Sequence, residues 1–212
     1  MDAPSVPRLR GVFHQYAFFA VLVAGAVLLV LADGVRDRIA LSIYTAALAA
    51  LFGASALYHR VPWRSAAARL RARRVDHAMI FLFIAGTYTA FSLLAFTGAT
   101  RTVVLATVWG GAAIGLFVEL VWIHAPRWAS AVAYLSVGWA GAIALPQLFP
   151  ALGIAPAVLV IAGGALYSLG ALAYATTWPD PFPATFGFHE VFHVLVIAAA
   201  TVQLTAISLL VL

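Results

Sequence analysis

Two histidines four positions apart begin the last apolar segment of the sequence. Residues 188–194 read FHEVFHV, so His189 and His193 lie one turn apart on a helix, with Glu190 between them. In soluble metallopeptidases this spacing, H-E-x-x-H, holds zinc through the two imidazoles and uses the glutamate as general base. In a membrane helix two such histidines can instead form hydrogen bonds to neighbouring helices. The spacing alone therefore leaves a peptidase, another metal site and a structural pair open.

Two other apolar segments carry reactive side chains near one end. The stretch SALYH places Ser55 and His59 one turn apart, and RVDHAMIF places Asp76 and His77 at the predicted start of a helix. Each has a structural interpretation of its own. His59 can be an interfacial residue, Asp76 a favourable charge at a helix N-terminus, and Ser55 a residue whose hydroxyl bonds back to a carbonyl of its helix. An ionisable group inside a membrane costs roughly 2.5–3.5 kcal/mol, so several groups at one depth favour a shared site.

Three imidazoles with an open fourth position form the shell of a catalytic zinc ion. We predict that the zinc ligands are His59, His189 and His193. Zinc lowers the pKa of a bound water to about 7, and Asp76 is the predicted acceptor of the proton. Ser55 is predicted to orient the water or a substrate carbonyl. The chain has no cysteine, so any metal must be held by His, Asp or Glu, which favours zinc or another borderline divalent ion.

Four further ionisable residues lie near the ends of apolar segments. His14, His77 and His124 are predicted to be interfacial residues with structural roles. Glu119, in GLFVELVW, is an acid about one turn inside the predicted fourth helix. It either pairs with an arginine or is protonated, and the sequence assigns it no function.

The composition indicates an integral membrane protein. Of 212 residues, 65% are hydrophobic and only 9% are charged, and the mean hydropathy is +1.04, so too little polar surface remains for a soluble domain. All 12 basic residues are arginine, and they lie in short segments between apolar runs. Despite the pI of about 10.1, this distribution indicates membrane topology and not a nucleic-acid partner.

Seven apolar segments are long enough to cross a bilayer, and they predict an all-α bundle of seven transmembrane helices. The first is too long for a secretory signal, so we expect it to stay in the protein. The fifth is the weakest, because Pro146 and Pro150 lie near its end. Residues 1–11 are predicted to be an N-terminal segment, and 12–212 a single transmembrane domain. The predicted spans are 12–32, 39–59, 76–97, 101–123, 129–149, 153–176 and 188–211.

Arginine placement predicts the orientation of the bundle. Between the second and third spans, residues 60–74 contain six arginines and no acid, and short loops of this kind stay in the cytoplasm. The N-terminus is then cytoplasmic, and the C-terminus lies outside after seven spans. The arginines can also bind anionic lipid headgroups, although topology alone accounts for them. With this orientation, the histidine, aspartate and serine motifs all lie at the cytoplasmic side.

Three stretches resemble the haemolysin III branch of the progestin and adipoQ receptor family, which is linked to alkaline ceramidases in a wider superfamily. They are SALYHR, RVDHAMIFLFIAGTYTAF and PDPFPATFGFHEVFH, and the resemblance extends over nearly the whole chain. Ala90 stands where the family pattern has proline. The resemblance implies seven transmembrane helices with an inside N-terminus and zinc on His59, His189 and His193. It also implies that Asp76 and Ser55 lie near the metal.

The resemblance also implies a functional class. Eukaryotic relatives are associated with amide hydrolysis on ceramide-like lipids, and bacterial members with membrane homeostasis. We therefore expect a zinc-dependent hydrolase of a lipid amide or ester in the bacterial cytoplasmic membrane, with its lipid substrate entering from the bilayer. The sequence assigns no oligomeric state.

Several other functions compete with this expectation. The main alternative is a non-enzymatic sensor of membrane state with structural zinc. A channel or metal transporter is disfavoured because the outer halves of the helices carry almost no polar groups. A secreted cytolysin is disfavoured by the hydrophobic composition. A protease is disfavoured because no acidic residue follows His193 as a third ligand.

Overall fold

The structure is a computed structural model that describes residues 6–122 and 125–212. Within these ranges the chain is helical except for short connections, and one isolated bridge between Phe182 and Phe186 is the only β-pairing. The all-α prediction is therefore confirmed. The helices are α1 (Val12–Leu31), α2 (Val35–Arg60), α3 (Ala66–Ala95), α4 (Gly98–Val121), α5 (Arg127–Ala140), α6 (Leu145–Leu152), α7 (Ile154–Thr176) and α8 (Phe188–Val211), with a 3-10 turn (Gly141–Ala144) between α5 and α6.

Six of these helices are long and apolar enough to cross a membrane: α1, α2, α3, α4, α7 and α8. The segment from α5 through α6 is apolar enough as a pair but bends by 69°, so the described residues hold seven spans if this pair counts as one. The predicted fifth span over 129–149 is thus divided between α5, the 3-10 turn and α6. Pro146 lies in the first turn of α6, where its missing backbone N–H removes no intrahelical hydrogen bond, so proline is tolerated at this helix start.

The helices form a closed ring in the order α1, α2, α3, α4, α5, α7, α8, with α8 returning to contact α1. Close approach is possible where small residues face large ones. At Gly115 of α4 a methyl group would overlap the Phe81 ring of α3, so glycine allows the two helices to approach closely here. The ring surrounds an apolar core that includes Tyr44, Phe83 and Phe91.

The start of α3 differs from the prediction. The helix begins at Ala66, and the Ser65 hydroxyl caps it by accepting a hydrogen bond from the Ala68 N–H at 3.1 Å. Asp76 therefore lies about 15 Å along the helix, at 1.5 Å per residue, and is not a helix N-terminal charge as its structural interpretation assumed. The arginine-rich stretch before Asp76 is mostly helical. Charged residues mark where a helix leaves the lipid, but the helix can continue beyond that point.

Candidate metal centre

Three imidazoles meet where α2 and α8 approach each other. His59 lies at the C-terminal end of α2, and His189 and His193 lie in the first two turns of α8. One ring nitrogen from each lies within 4.8 Å of the others, and the Nε2 atoms of His59 and His189 are 3.2 Å apart. Tetrahedral zinc with Zn–N bonds of about 2.0–2.1 Å needs ligand nitrogens about 3.3 Å apart. The donor set therefore fits a zinc ion, and the His59–His189 distance matches the required spacing.

Asp76 and Ser55 lie beside the three histidines. The Asp76 Oδ2 is 3.7 Å from the His59 Nε2, which is longer than a hydrogen bond. Both residues are buried, Asp76 at 8% exposure and Ser55 at 2%. The Ser55 hydroxyl lies close to the Asp76 carboxyl but has no hydrogen-bond partner among the described residues. A small polar molecule between the carboxyl and the imidazoles can therefore contact both.

His14 of α1 is a fourth histidine at this end of the bundle. The prediction that it is interfacial is wrong, because it is only 3% exposed. Its ring stacks on the His193 ring with centroids 3.8 Å apart and planes at 10°. Within the described residues, neither of its nitrogens has a hydrogen-bond partner. The spacing of His14, Val21 and Gly25, which form the buried face of α1, is the sequence signal that marks this position.

His77 and Glu119 form a second polar pair at the same depth. The Nδ1 atom of His77 lies 2.8 Å from the Glu119 Oε1, and the two side chains are only 11% and 13% exposed. The interfacial prediction for His77 is therefore also wrong, since α4 packs over this part of α3. Glu119, which the sequence left without a role, pairs with a histidine and not with an arginine. His124 lies outside the described residues, as does Ile123 at the predicted end of the fourth helix.

Glu190 is fully buried and makes two contacts away from the group of metal-donor atoms. Its Oε1 accepts from the Arg10 side chain, and its Oε2 accepts from the backbone N–H of Gly187 at 2.8 Å. A peptidase of the H-E-x-x-H type needs this glutamate directed at water on the metal. Both oxygens instead hold the N-terminal turn of α8 and the segment before α1.

The histidines lie at one end of a cavity of about 200 Å³ that continues toward the opposite end of the bundle. The polar end is lined by His14, Ser55, Asp76, His77, His189 and His193. The rest of the wall is mainly aliphatic and aromatic, and it includes Phe91, Phe96 and Leu148 at the far end. This cavity can hold a polar group at the histidines and an apolar chain beyond them.

Residues 4–204 match the sequence model of a family described as Haemolysin-III related. The chain belongs to this family. The predicted haemolysin III resemblance is thus confirmed, and with its apolar helices the family member is an integral membrane protein.

Known relatives of this haemolysin III family member include bacterial and mammalian proteins. Hemolysin-3 of Bacillus cereus is 32% identical over 130 residues, covering 61% of this chain and 56% of that protein. The Hemolysin-3 homolog of Bacillus subtilis (strain 168) is 30% identical over 138 residues, covering 65% and 64%. Monocyte to macrophage differentiation factor of Homo sapiens is 25% identical over 201 residues, covering 92% and 79%. The matched region is thus less than two thirds of either bacterial relative's length.

Proposed function

We propose that this haemolysin III family member is a zinc-dependent hydrolase that cleaves an amide or ester bond of a membrane lipid and acts in membrane homeostasis. The observation that carries the proposal is the meeting of three imidazoles and one carboxyl at the end of a largely apolar cavity. Such a site combines a metal-binding shell with a place for an acyl chain.

In this proposal, His59, His189 and His193 hold the zinc ion. Zinc in a site of this kind supplies Lewis acidity toward a carbonyl and toward water. The Asp76 carboxyl accepts the proton of the attacking water and returns it to the leaving group. The Ser55 hydroxyl, which lies beside that carboxyl, donates a hydrogen bond that orients the water or the scissile carbonyl. The apolar wall of the cavity holds the acyl chain and excludes bulk water.

The orientation and location of the protein belong to the same proposal. The arginines before and within the first turns of α3 support a cytoplasmic position for the histidine end of the bundle. The N-terminus is then cytoplasmic, the C-terminus lies outside, and residues 12–212 form one domain in a bacterial cytoplasmic membrane. A lipid substrate enters sideways from the inner leaflet, with its polar group at the histidines.

A second candidate function is a non-enzymatic sensor of membrane state with structural zinc. The observation that favours it is the position of the ligands on two helices far apart in sequence, α2 and α8, which a bound ion would join. Structural zinc is worth about 10–16 kcal/mol in small peptides, so such a link is strong enough to couple helix positions. A sensor does not need Asp76 for proton transfer, so the effect of changing Asp76 distinguishes the two candidate functions.

The test compares wild type with Asp76→Asn, reconstituted in lipid nanodiscs and loaded with zinc. Zinc content is measured by elemental analysis, and consumption of ceramides, acyl amides, acyl esters and lysolipids by mass spectrometry. We expect equal zinc content and a loss of at least about 100-fold in hydrolysis for Asp76→Asn. The matched control is Asp33→Asn, an exposed acid at the opposite end of the bundle. Zinc-loaded wild type that consumes none of these lipids would exclude the hydrolase.

A further inference from the structure

The segment before α1 packs across the histidine end of the bundle. We call residues 7–11 the N-terminal strap. The backbone N–H groups of Arg8 and Leu9 donate to the carbonyls of Ala184 and Thr185, each at 3.1 Å, so the strap is bound to the connection between α7 and α8. Just beyond it, Phe13 contacts Phe186 edge to face, with ring centroids 5.7 Å apart. The strap is therefore held on the connection that leads directly into the histidine turn of α8.

The strap also passes directly against a predicted zinc ligand. Gly11 has φ +77°, and a methyl group at this position would lie 2.5 Å from the Cβ of His59. A side chain here would both strain the backbone and displace the last turn of α2. Glycine thus lets the strap touch α2 and the α7–α8 connection at the same time.

Arg10 joins the strap to α8 through Glu190. The Glu190 side chain is completely buried, whereas the Arg10 side chain keeps 20% of its surface exposed. A buried carboxylate is stable only when it is paired and hydrogen-bonded. Glu190 lies between His189 and His193 on the same two turns, so its contacts bear on the position of both histidines.

We propose that the N-terminal strap braces the histidine end of the bundle and that Arg10 is a positioning residue, which acts through Glu190 on the turn carrying His189 and His193. The proposal rests on the proposed zinc site for its effect on metal binding. It has an asymmetric consequence. Removing Arg10 leaves a buried, uncompensated carboxylate, whereas removing the Glu190 charge leaves an arginine that can reach water.

The first measurement is zinc affinity, by competition with a chelator, at a temperature well below unfolding. Arg10→Met should weaken zinc binding by about 10–100-fold, the range found when outer-shell partners of metal ligands are lost. Arg8→Met is the matched control, since Arg8 lies in the same strap, is exposed and is bound there through its backbone N–H. It should bind zinc like wild type. The double variant Arg10→Met/Glu190→Gln should recover most of the affinity, because it removes the uncompensated charge.

The second measurement does not depend on the metal. In chelator-treated protein, diethyl pyrocarbonate modification of His189 is followed by peptide mass spectrometry. Arg10→Met should increase the rate several-fold, and Arg8→Met should not change it. Gly11→Ala displaces the strap with every charge intact and should increase the modification rate like Arg10→Met. It replaces Arg10→Met in this test if Arg10→Met does not fold.

The outcomes distinguish a failure of the strap proposal from a failure of the proposed hydrolase. Wild-type protein that holds no zinc would end the proposed hydrolase, while the rate of His189 modification would still decide the role of the strap. Arg10→Met with wild-type zinc affinity and a wild-type modification rate would overturn the strap proposal. So would a double variant as impaired as Arg10→Met, since the effect would then not pass through the Glu190 charge.

Discussion

The imidazole of His14 lies parallel to that of His193, with ring centroids 3.8 Å apart. An imidazole nitrogen offers its lone pair in the plane of its own ring, and the plane of the His14 ring is displaced from that of the His193 ring by the thickness of the stack. The two rings therefore cannot coordinate the same ion in their own planes. His14 supports His193 from the side without being a ligand of the same metal.

The stack predicts that His14→Phe keeps the fold and the zinc site. Phenylalanine preserves the aromatic contact and replaces two nitrogens that have no partner among the described residues. We expect the free energy of unfolding to rise, by up to about 1–3 kcal/mol. His14→Ala loses the ring and should destabilise by about 2–5 kcal/mol. Thermal unfolding in nanodiscs measures both, and a destabilised His14→Phe would show that the ring nitrogens are hydrogen-bonded in the membrane.

Zinc content should distinguish the predicted zinc ligands from the other histidines at the polar end of the cavity. Alanine at His59, His189 or His193 should remove most of the metal, because each supplies one of three ligands. His77→Ala is the control, since His77 lines the same cavity but bonds to Glu119. It should keep its zinc. Elemental analysis of the purified variants decides this, and zinc retained after loss of two of the three predicted ligands would contradict the site.

The His77–Glu119 pair should contribute to stability and not to metal binding. His77→Ala leaves a partly buried carboxyl without its partner and should lower stability by about 1–3 kcal/mol. The double variant His77→Leu/Glu119→Leu should be more stable than His77→Ala, because no polar group is then left unpaired. Thermal unfolding of this double variant and of its two single variants, His77→Leu and Glu119→Leu, measures the coupling. Simple additivity of the single changes would show that the two side chains do not interact.

The predicted and observed structures agree best on the long apolar helices. Apolar length is a local property, and a helix satisfies its own backbone hydrogen bonds in lipid, so α1, α2, α4, α7 and α8 could be predicted closely. The start of α3 could not, because its arginine-rich first turns are helical outside the apolar segment. The break after Ala140 was suggested by Pro146 but not located.

Depth in the bundle could be predicted for the polar residues, but the direction in which they face could not. His59, Asp76 and His189 share one end of the bundle because each lies near the same end of its span, which is visible in the sequence. His14 and His77 were predicted at that depth too, yet as interfacial residues. Their burial depends on α8 packing beside α1 and α4 packing over α3, and hydropathy contains no information on neighbours.

The sequence by itself determined that the protein is helical, that its spans are about as long as a bilayer is thick, and that its histidine, aspartate and serine motifs share one depth. Only the tertiary structure decided that three imidazoles face one another, that His14 stacks on His193, and that Arg10 reaches Glu190 from 180 residues away. The physical reason is that helix formation in lipid is governed by local hydrogen bonding, whereas the rotation and order of helices depend on side-chain fit between segments distant in the chain.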